Sequence, residues 1–309
     1  MPVDVPAEAP IDPQLSAVLD VLPLSDIGGE VTDPTVMREG MRQMATAVPA
    51  GIEVAHVHDT DADGVPVRVY RPDATEALPL VVFVHGGGFV IGSIDTHDAT
   101  ARRIARDARA VVVSVGYRLA PEHPFPAAVE DSWTALRWAT AHAGEIGADA
   151  SRTAVAGDSA GGNLAAVLTH LARDAGGPEL VFQLLFYPVT SGSNDWPSMR
   201  SNANAPVLTR RAMEWFSQQY QGDCSVRANP AAAETFAGLP PAFVATAGHD
   251  PLRDDGEAYV GLLERDGVSA HGVRYPALVH GFAALDGLVP ACTRAVDDCV
   301  AALRAALHR

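Results

Sequence analysis

From residue 80 onward the chain alternates short, nearly uninterrupted apolar runs with longer amphipathic segments. The runs cover 80–84, 111–115, 153–156, 181–186, 242–246 and 268–275. Between and after them, helical periodicity covers 96–109, 127–143, the stretch after Gly157 to about Asp174, 254–265 and 290–308. Strands apolar on both sides, each followed by a helix, belong to a mostly parallel sheet covered by helices on both faces. With 309 residues the chain is long enough to bury a core of that size. Upstream the pattern differs. Segments 52–57 and 65–70 alternate and read as a hairpin around a turn at 61–64. The acidic run at 59–64 resembles the start of a calcium loop, but Tyr70 stands where the closing glutamate belongs, so the hairpin is the better account. His56 and His58 lack a third ligand and read as solvated surface.

Asp12-Pro13 and Asp33-Pro34 are helix starts. The second helix reaches about Val48 and carries Met37, Met41, Met44 and Val48 on one face. That stripe is either packed on a core or a pliable apolar wall over a pocket. One interval, 188–238, shows no strand: a Ser/Asn-rich loop at 190–204 leads to a helix over 209–220 with Met213, Trp215, Phe216 and Tyr220. It reads as an insertion that folds with residues 1–50 into a small helical cap, leaving 51–187 and 239–309 as the core.

Composition narrows the chemistry. All 22 basic residues are arginine, so Schiff-base chemistry, Walker-type phosphate loops and serine–lysine dyads are excluded. A net charge of −16 argues against nucleic acid and against an anionic membrane surface. Cys224, Cys292 and Cys299 are too few and too irregular for a disulfide framework or a zinc site. On one helix, Cys292 and Cys299 would lie roughly 10 Å apart, too far to bridge. The N-terminus lacks the basic and apolar regions of a signal peptide, and no apolar run approaches the ~20 residues of a membrane span. A soluble, cytoplasmic protein is the expectation.

Four strand-end segments carry the chemistry. Gly157-Asp158-Ser159-Ala160-Gly161 joins an apolar strand to a helix, the G-x-S-x-G pattern that exposes a nucleophilic serine on a strained turn. His85-Gly86-Gly87-Gly88-Phe89 follows the 80–84 strand. Consecutive glycines are entropically costly and pack nothing, which makes sense where backbone N–H groups must approach a developing oxyanion. Without lysine, the obvious candidate for the base of Ser159 is a histidine. His280 follows the last strand, at the carboxyl end where parallel sheets place their sites. Asp250 follows the 242–246 strand and could orient that histidine, although helix capping is an equal use for it. Asp254 and Asp255 are close rivals at the next helix start. The order Ser, Asp, His is the one used by α/β-hydrolases.

These loops, with Tyr117-Arg118-Leu119-Ala120-Pro121-Glu122-His123-Pro124-Phe125-Pro126-Ala127-Ala128, Gly162-Asn163, Asp250-Pro251-Leu252-Arg253-Asp254 and His280-Gly281-Phe282, resemble the hormone-sensitive-lipase-like esterases (bacterial family IV), in their GDSAG branch. The resemblance covers roughly residues 50 to 309 and implies an α/β-hydrolase fold with a mostly parallel central sheet and a small helical cap. It implies Ser159 as nucleophile, His280 as base then acid, Asp250 as its orienting acid, and the N–H groups of Gly87, Gly88 and Ala160 as oxyanion donors. His85 and Tyr117 would hold the glycine loop. The acyl pocket would involve Phe89, Met37, Met41, Trp215 and Phe216. The expected substrate is a small ester with a short to medium acyl chain. No cofactor or metal is expected, and a homodimer stays open. An amidase, aryl-acylamide hydrolase or lipase would use the same residues. A non-catalytic receptor of this fold is disfavoured because His280 is present.

Overall fold

A computed structural model describes residues 9–22, 26–47, 51–193 and 195–309. The strands are β1 (His56–Ala62), β2 (Val65–Arg71), β3 (Leu78–Val84), β4 (Val111–Val115), β5 (Ala148–Asp158), β6 (Phe182–Phe186), β7 (Ala242–His249) and β8 (Ala270–Val279). The helices are α1 (Pro13–Leu19), α2 (Pro34–Ala47), α3 (Asp98–Ala108), α4 (Ala127–Ala141), α5 (Ala160–Ala175), α6 (Pro197–Ser201), α7 (Arg210–Tyr220), α8 (Arg253–Arg265) and α9 (Pro290–Leu307). The strands form one eight-stranded sheet in the order β1-β2-β4-β3-β5-β6-β7-β8. β1, β2 and β4 pair antiparallel, whereas β4 through β8 run parallel. The apolar runs fall in this sheet because both of its faces are covered. Val82, Val84 and Val113 pack under α4, α5 and α8, whereas Val81, Phe83 and Val112 pack under α1, α3 and α9.

Three differences from the sequence reading have physical causes. β1 starts at His56 and reaches Ala62, so the hairpin turn is only Asp63-Gly64, with φ of 54° and 94°. Positive φ at both central residues matches the twist of a two-residue hairpin, and the Asp61 side chain accepts the Gly64 N–H at 2.6 Å. β8 continues through Pro276 to Val279. Pro276 lies against Gly248 of β7, where the pairing of the two strands shifts register, and a proline is tolerated at such an irregularity. Third, α1 and residues 26–47 pack in different places. Leu15 and Leu19 of α1 are buried with α3 and α9, and the Asp12 N–H donates to Ala277 at 3.0 Å. Residues 26–47 lie instead with α7: Asp26 pairs with Arg211, and Met37 is buried in the same cluster as Trp215 and Phe216. The Met44 side chain, Val48 and residues 1–8 lie outside the described residues.

Candidate active site

Ser159 sits between the end of β5 and the start of α5 with φ 56° and ψ −118°, a conformation that non-glycine residues avoid. The turn is tight enough that a Cβ at Gly161 would run into the carbonyl oxygens of Val84 and His85. The strain is held by the surroundings: the Ser159 N–H donates to Phe186 at 2.9 Å on the neighbouring strand. As N1 of α5, Ala160 has a backbone N–H with no partner inside the helix.

His280 and Asp250 each stand one residue beyond a strand, β8 and β7 respectively. His280 Nε2 is 2.9 Å from Ser159 Oγ, and its Nδ1 is 2.7 Å from Asp250 Oδ2. Asp250 is fully buried, and its other oxygen accepts the Leu252 N–H at 2.8 Å. A carboxylate on Nδ1 fixes the proton there, which leaves Nε2 to accept from the serine hydroxyl. Tyr187, buried at the end of β6, packs its ring 4.7 Å from the imidazole. The rival acids point elsewhere. Asp254 accepts the Ser198 N–H at 2.8 Å. Asp255 accepts the Thr190 N–H at 2.7 Å and the Thr190 hydroxyl at 2.8 Å. Burial raises the Asp255 carboxyl above its ordinary pKa.

The glycine loop leaves β3 beside the elbow. Gly87 and Gly88 have φ of 116° and 60°, which a larger residue would resist. A Cβ on Gly88 would also overlap the ring of Phe216. Several bonds hold the loop. His85 Nδ1 lies 2.8 Å from Gly86 O, Tyr117 donates its hydroxyl to His85 O at 2.8 Å, and the two rings stack at 4.2 Å. The Gly86 N–H donates to Asp158 Oδ1 at 2.9 Å. Phe89 is buried and stacks on Tyr220 at 3.8 Å. Trp215 meets Phe216 edge-on at 5.3 Å, and its Cβ lies close to Gly28.

Ser159, Asp250 and His280 are thus brought together, and Gly88 and Phe216 meet beside them. Phe89, Met37, Met41 and Trp215 belong to the adjoining apolar cluster, Met41 only partly buried. Three neighbours of the site were missed. Val207, with φ 71° and a half-exposed side chain, stands beside Gly281. Asp158 tethers the glycine loop together with His97; its place next to the serine was the only sequence signal for it, and His97 had none.

Comparison with known proteins gives the family of the chain. The family model described as alpha/beta hydrolase fold matches residues 81–284. Carboxylesterase NlhH of Mycobacterium tuberculosis is 46% identical over 98% of this chain and 98% of its own length. Esterase LipI of the same organism is 47% identical over 96% of both chains. Among solved structures, the Pyrobaculum calidifontis esterase superposes with a TM-score of 0.88 at 39% identity, covering 96% of this chain and 99% of that one. With the eight-stranded sheet and the strand-end loops described above, these matches show that the chain belongs to the hormone-sensitive-lipase-like carboxylesterases of the α/β-hydrolase superfamily.

Proposed function

We propose that the protein is a serine carboxylesterase for short- to medium-chain acyl esters, working through Ser159, His280 and Asp250. The observation that carries this reading is the hydrogen-bonded line from Asp250 through His280 to a serine on a strained elbow, with separations of 2.7 and 2.9 Å. Ser159 Oγ attacks the ester carbonyl carbon while His280 Nε2 takes its proton. The carbonyl oxygen becomes an anion and meets the N–H groups of Gly87, Gly88 and Ala160, whose donors are preorganised for that charge. The tetrahedral intermediate expels the alcohol, which leaves with the proton from His280. Water then attacks the acyl-enzyme with His280 as base, and the acid is released. Asp250 stabilises the imidazolium at each step. Phe216 over Gly88, and Phe89 stacked on Tyr220, would make the acyl side apolar and limited in room. An ester is favoured over an amide because the similar curated proteins are named as esterases.

Replacing Ser159 with alanine should lower kcat on p-nitrophenyl butyrate by roughly 10⁶ with the circular dichroism spectrum unchanged. Retained turnover would overturn the mechanism. A series of p-nitrophenyl esters from acetate to palmitate, with the matching anilides, tests the substrate class. Peak kcat/KM on long chains or on anilides contradicts it.

A further inference from the structure

Two buried histidines outside the triad, His85 and His97, lie under the glycine loop with ring centroids 5.4 Å apart. Between them and the elbow sits Asp158, buried as well. Its Oδ1 accepts the Gly86 N–H at 2.9 Å and faces His97 Nε2 at 3.4 Å. Its Oδ2 lies so close to Gly86 that a Cβ there would overlap it. The carboxylate therefore fixes one side of the Gly86 peptide while His85 Nδ1–H holds the carbonyl side.

The protonation of His97 follows from its partners. The Thr96 hydroxyl donates to Ser93 O at 3.0 Å and accepts the Ser93 N–H at 2.8 Å, so towards His97 Nδ1, 2.9 Å away, it offers a lone pair. Ser93 O itself lies 3.3 Å from the same nitrogen. With the hydroxyl proton on Ser93 O, we assign a proton to Nδ1, and Nε2 then faces a carboxylate. A ring with acceptors on both nitrogens is an imidazolium.

We propose that the His97 imidazolium and the Asp158 carboxylate form a buried ion pair that positions the Gly86–Gly88 loop, so that the Gly87 and Gly88 N–H groups point at the oxyanion. The proposal rests on the esterase reading above. Both residues are positioning residues, since neither touches the reacting atoms. Without its cation, so deeply buried a carboxylate would take up a proton and accept the Gly86 N–H less strongly.

The two histidines are pushed in opposite directions. Burial, with the charge of His97 next, pulls His85 down to about 3, so it stays a neutral donor to Gly86 O. Burial also acts against the charge on His97, but Asp158 together with Ser93 O outweighs it and leaves that pKa above its ordinary value. Burial would raise the Asp158 carboxyl, and His97 with the Gly86 N–H carries it below its usual range instead. The other titratable groups here are the hydroxyls of Tyr117 and Tyr187, both held protonated by burial. Asp95 and Asp98, on the segment of His97, are taken by Arg68 and Arg102. For a raised histidine the ordering is intact at low pH and is lost as pH rises through its folded pKa. For the depressed aspartate it is lost only as pH falls through its own. Losing the His97 proton therefore gives kcat an alkaline decline.

The test compares His97→Gln and Asp158→Asn with the wild type on p-nitrophenyl butyrate across roughly pH 5 to 9. Both variants should lose about 10- to 100-fold in kcat at neutral pH with KM unchanged, the size of effect that misplaced reacting groups produce. His97→Gln should also lose the alkaline decline. Histidine ring signals of the wild-type protein, followed by NMR, should show His97 titrating with the midpoint of that decline, which decides the matter even if a variant fails to fold. A His97 that stays neutral throughout, or a His97→Gln enzyme with wild-type kcat and wild-type alkaline limb, overturns the pair. That result beside an inactive Ser159→Ala enzyme leaves the triad standing, whereas an active Ser159→Ala enzyme removes the triad itself.

Discussion

The rims of the parallel strands and the cap segments above them are built on different principles. At the rim, Ser159, Asp250, His280 and the glycine loop each follow directly on a sheet strand, and backbone bonds to neighbouring strands fix their starting points. In the cap, α2 and α7 have no ladder to align them. Their placement comes from side chains: Arg38 to Val90 O and Ala120 O at 2.8 Å each, Asp26 to Arg211, and Phe216 on Gly88. Change in the first region should abolish chemistry. Change in the second should tune its rate or the stability of the closed arrangement.

The sharpest break lies within the rim itself, between two buried acids. Asp250→Asn leaves the shape intact but favours the wrong histidine tautomer, so kcat should fall by roughly 10⁴. Asp255→Asn should stay near wild type in kcat. Its amide can face the Thr190 hydroxyl while its carbonyl accepts the backbone N–H groups, and burial already works against the charge of this carboxyl. Equal losses in the two variants, measured by steady-state hydrolysis, would mean that the acid assignment is wrong.

The point where rim and cap touch gives the next largest effect. Gly88→Ala meets two obstacles, a φ of 60° and the Phe216 ring. Displacing a proposed oxyanion donor should lower kcat by about 10². In a Phe216→Ala background the ring is gone and only the backbone strain remains, roughly 1–2 kcal/mol. About tenfold of the loss should then return. A double-mutant cycle with no recovery would show that the cap does not bear on the glycine loop.

What the sequence revealed follows the same division. Buried parallel strands read as unbroken apolar runs, so the sheet, its flanking helices and the residues just beyond the strand ends were visible in one dimension. Pro276 hid the end of β8, and with it the fact that His280 follows the strand without a loop. The cap helices were visible as helices through Met37, Met41, Trp215 and Phe216, but their partners were not. A ring resting on a glycine, or a guanidinium reaching two carbonyls, has no periodicity to betray it. Asp158 and His97 were opaque for that reason as well: one stood beside a conspicuous serine, the other in a helix start of ordinary composition, and only the fold brings them within 3.4 Å.

The smallest effect belongs to the latch between α2 and the loop after β4. Arg38 holds both carboxylate oxygens of Glu122 at 2.8 Å, and it keeps that carboxyl depressed to about 2. Glu122 is more than half exposed, so solvent screening limits the pair to about 1 kcal/mol or less. Glu122→Gln should therefore lower Tm by about 1–2 °C at neutral pH. Arg38→Gln should lower it further, because the donors to Val90 O and Ala120 O leave with the guanidinium. A carboxyl depressed in the fold stabilises fully above its unfolded value and loses that contribution as pH falls towards its folded one. The Tm gap between wild type and Glu122→Gln should thus close between roughly pH 5 and pH 2 while the Arg38→Gln gap closes only in part, leaving the share owed to the two carbonyls. Calorimetric gaps that do not change with pH in either variant would mean that the cap is held by its apolar contacts and not by this charge.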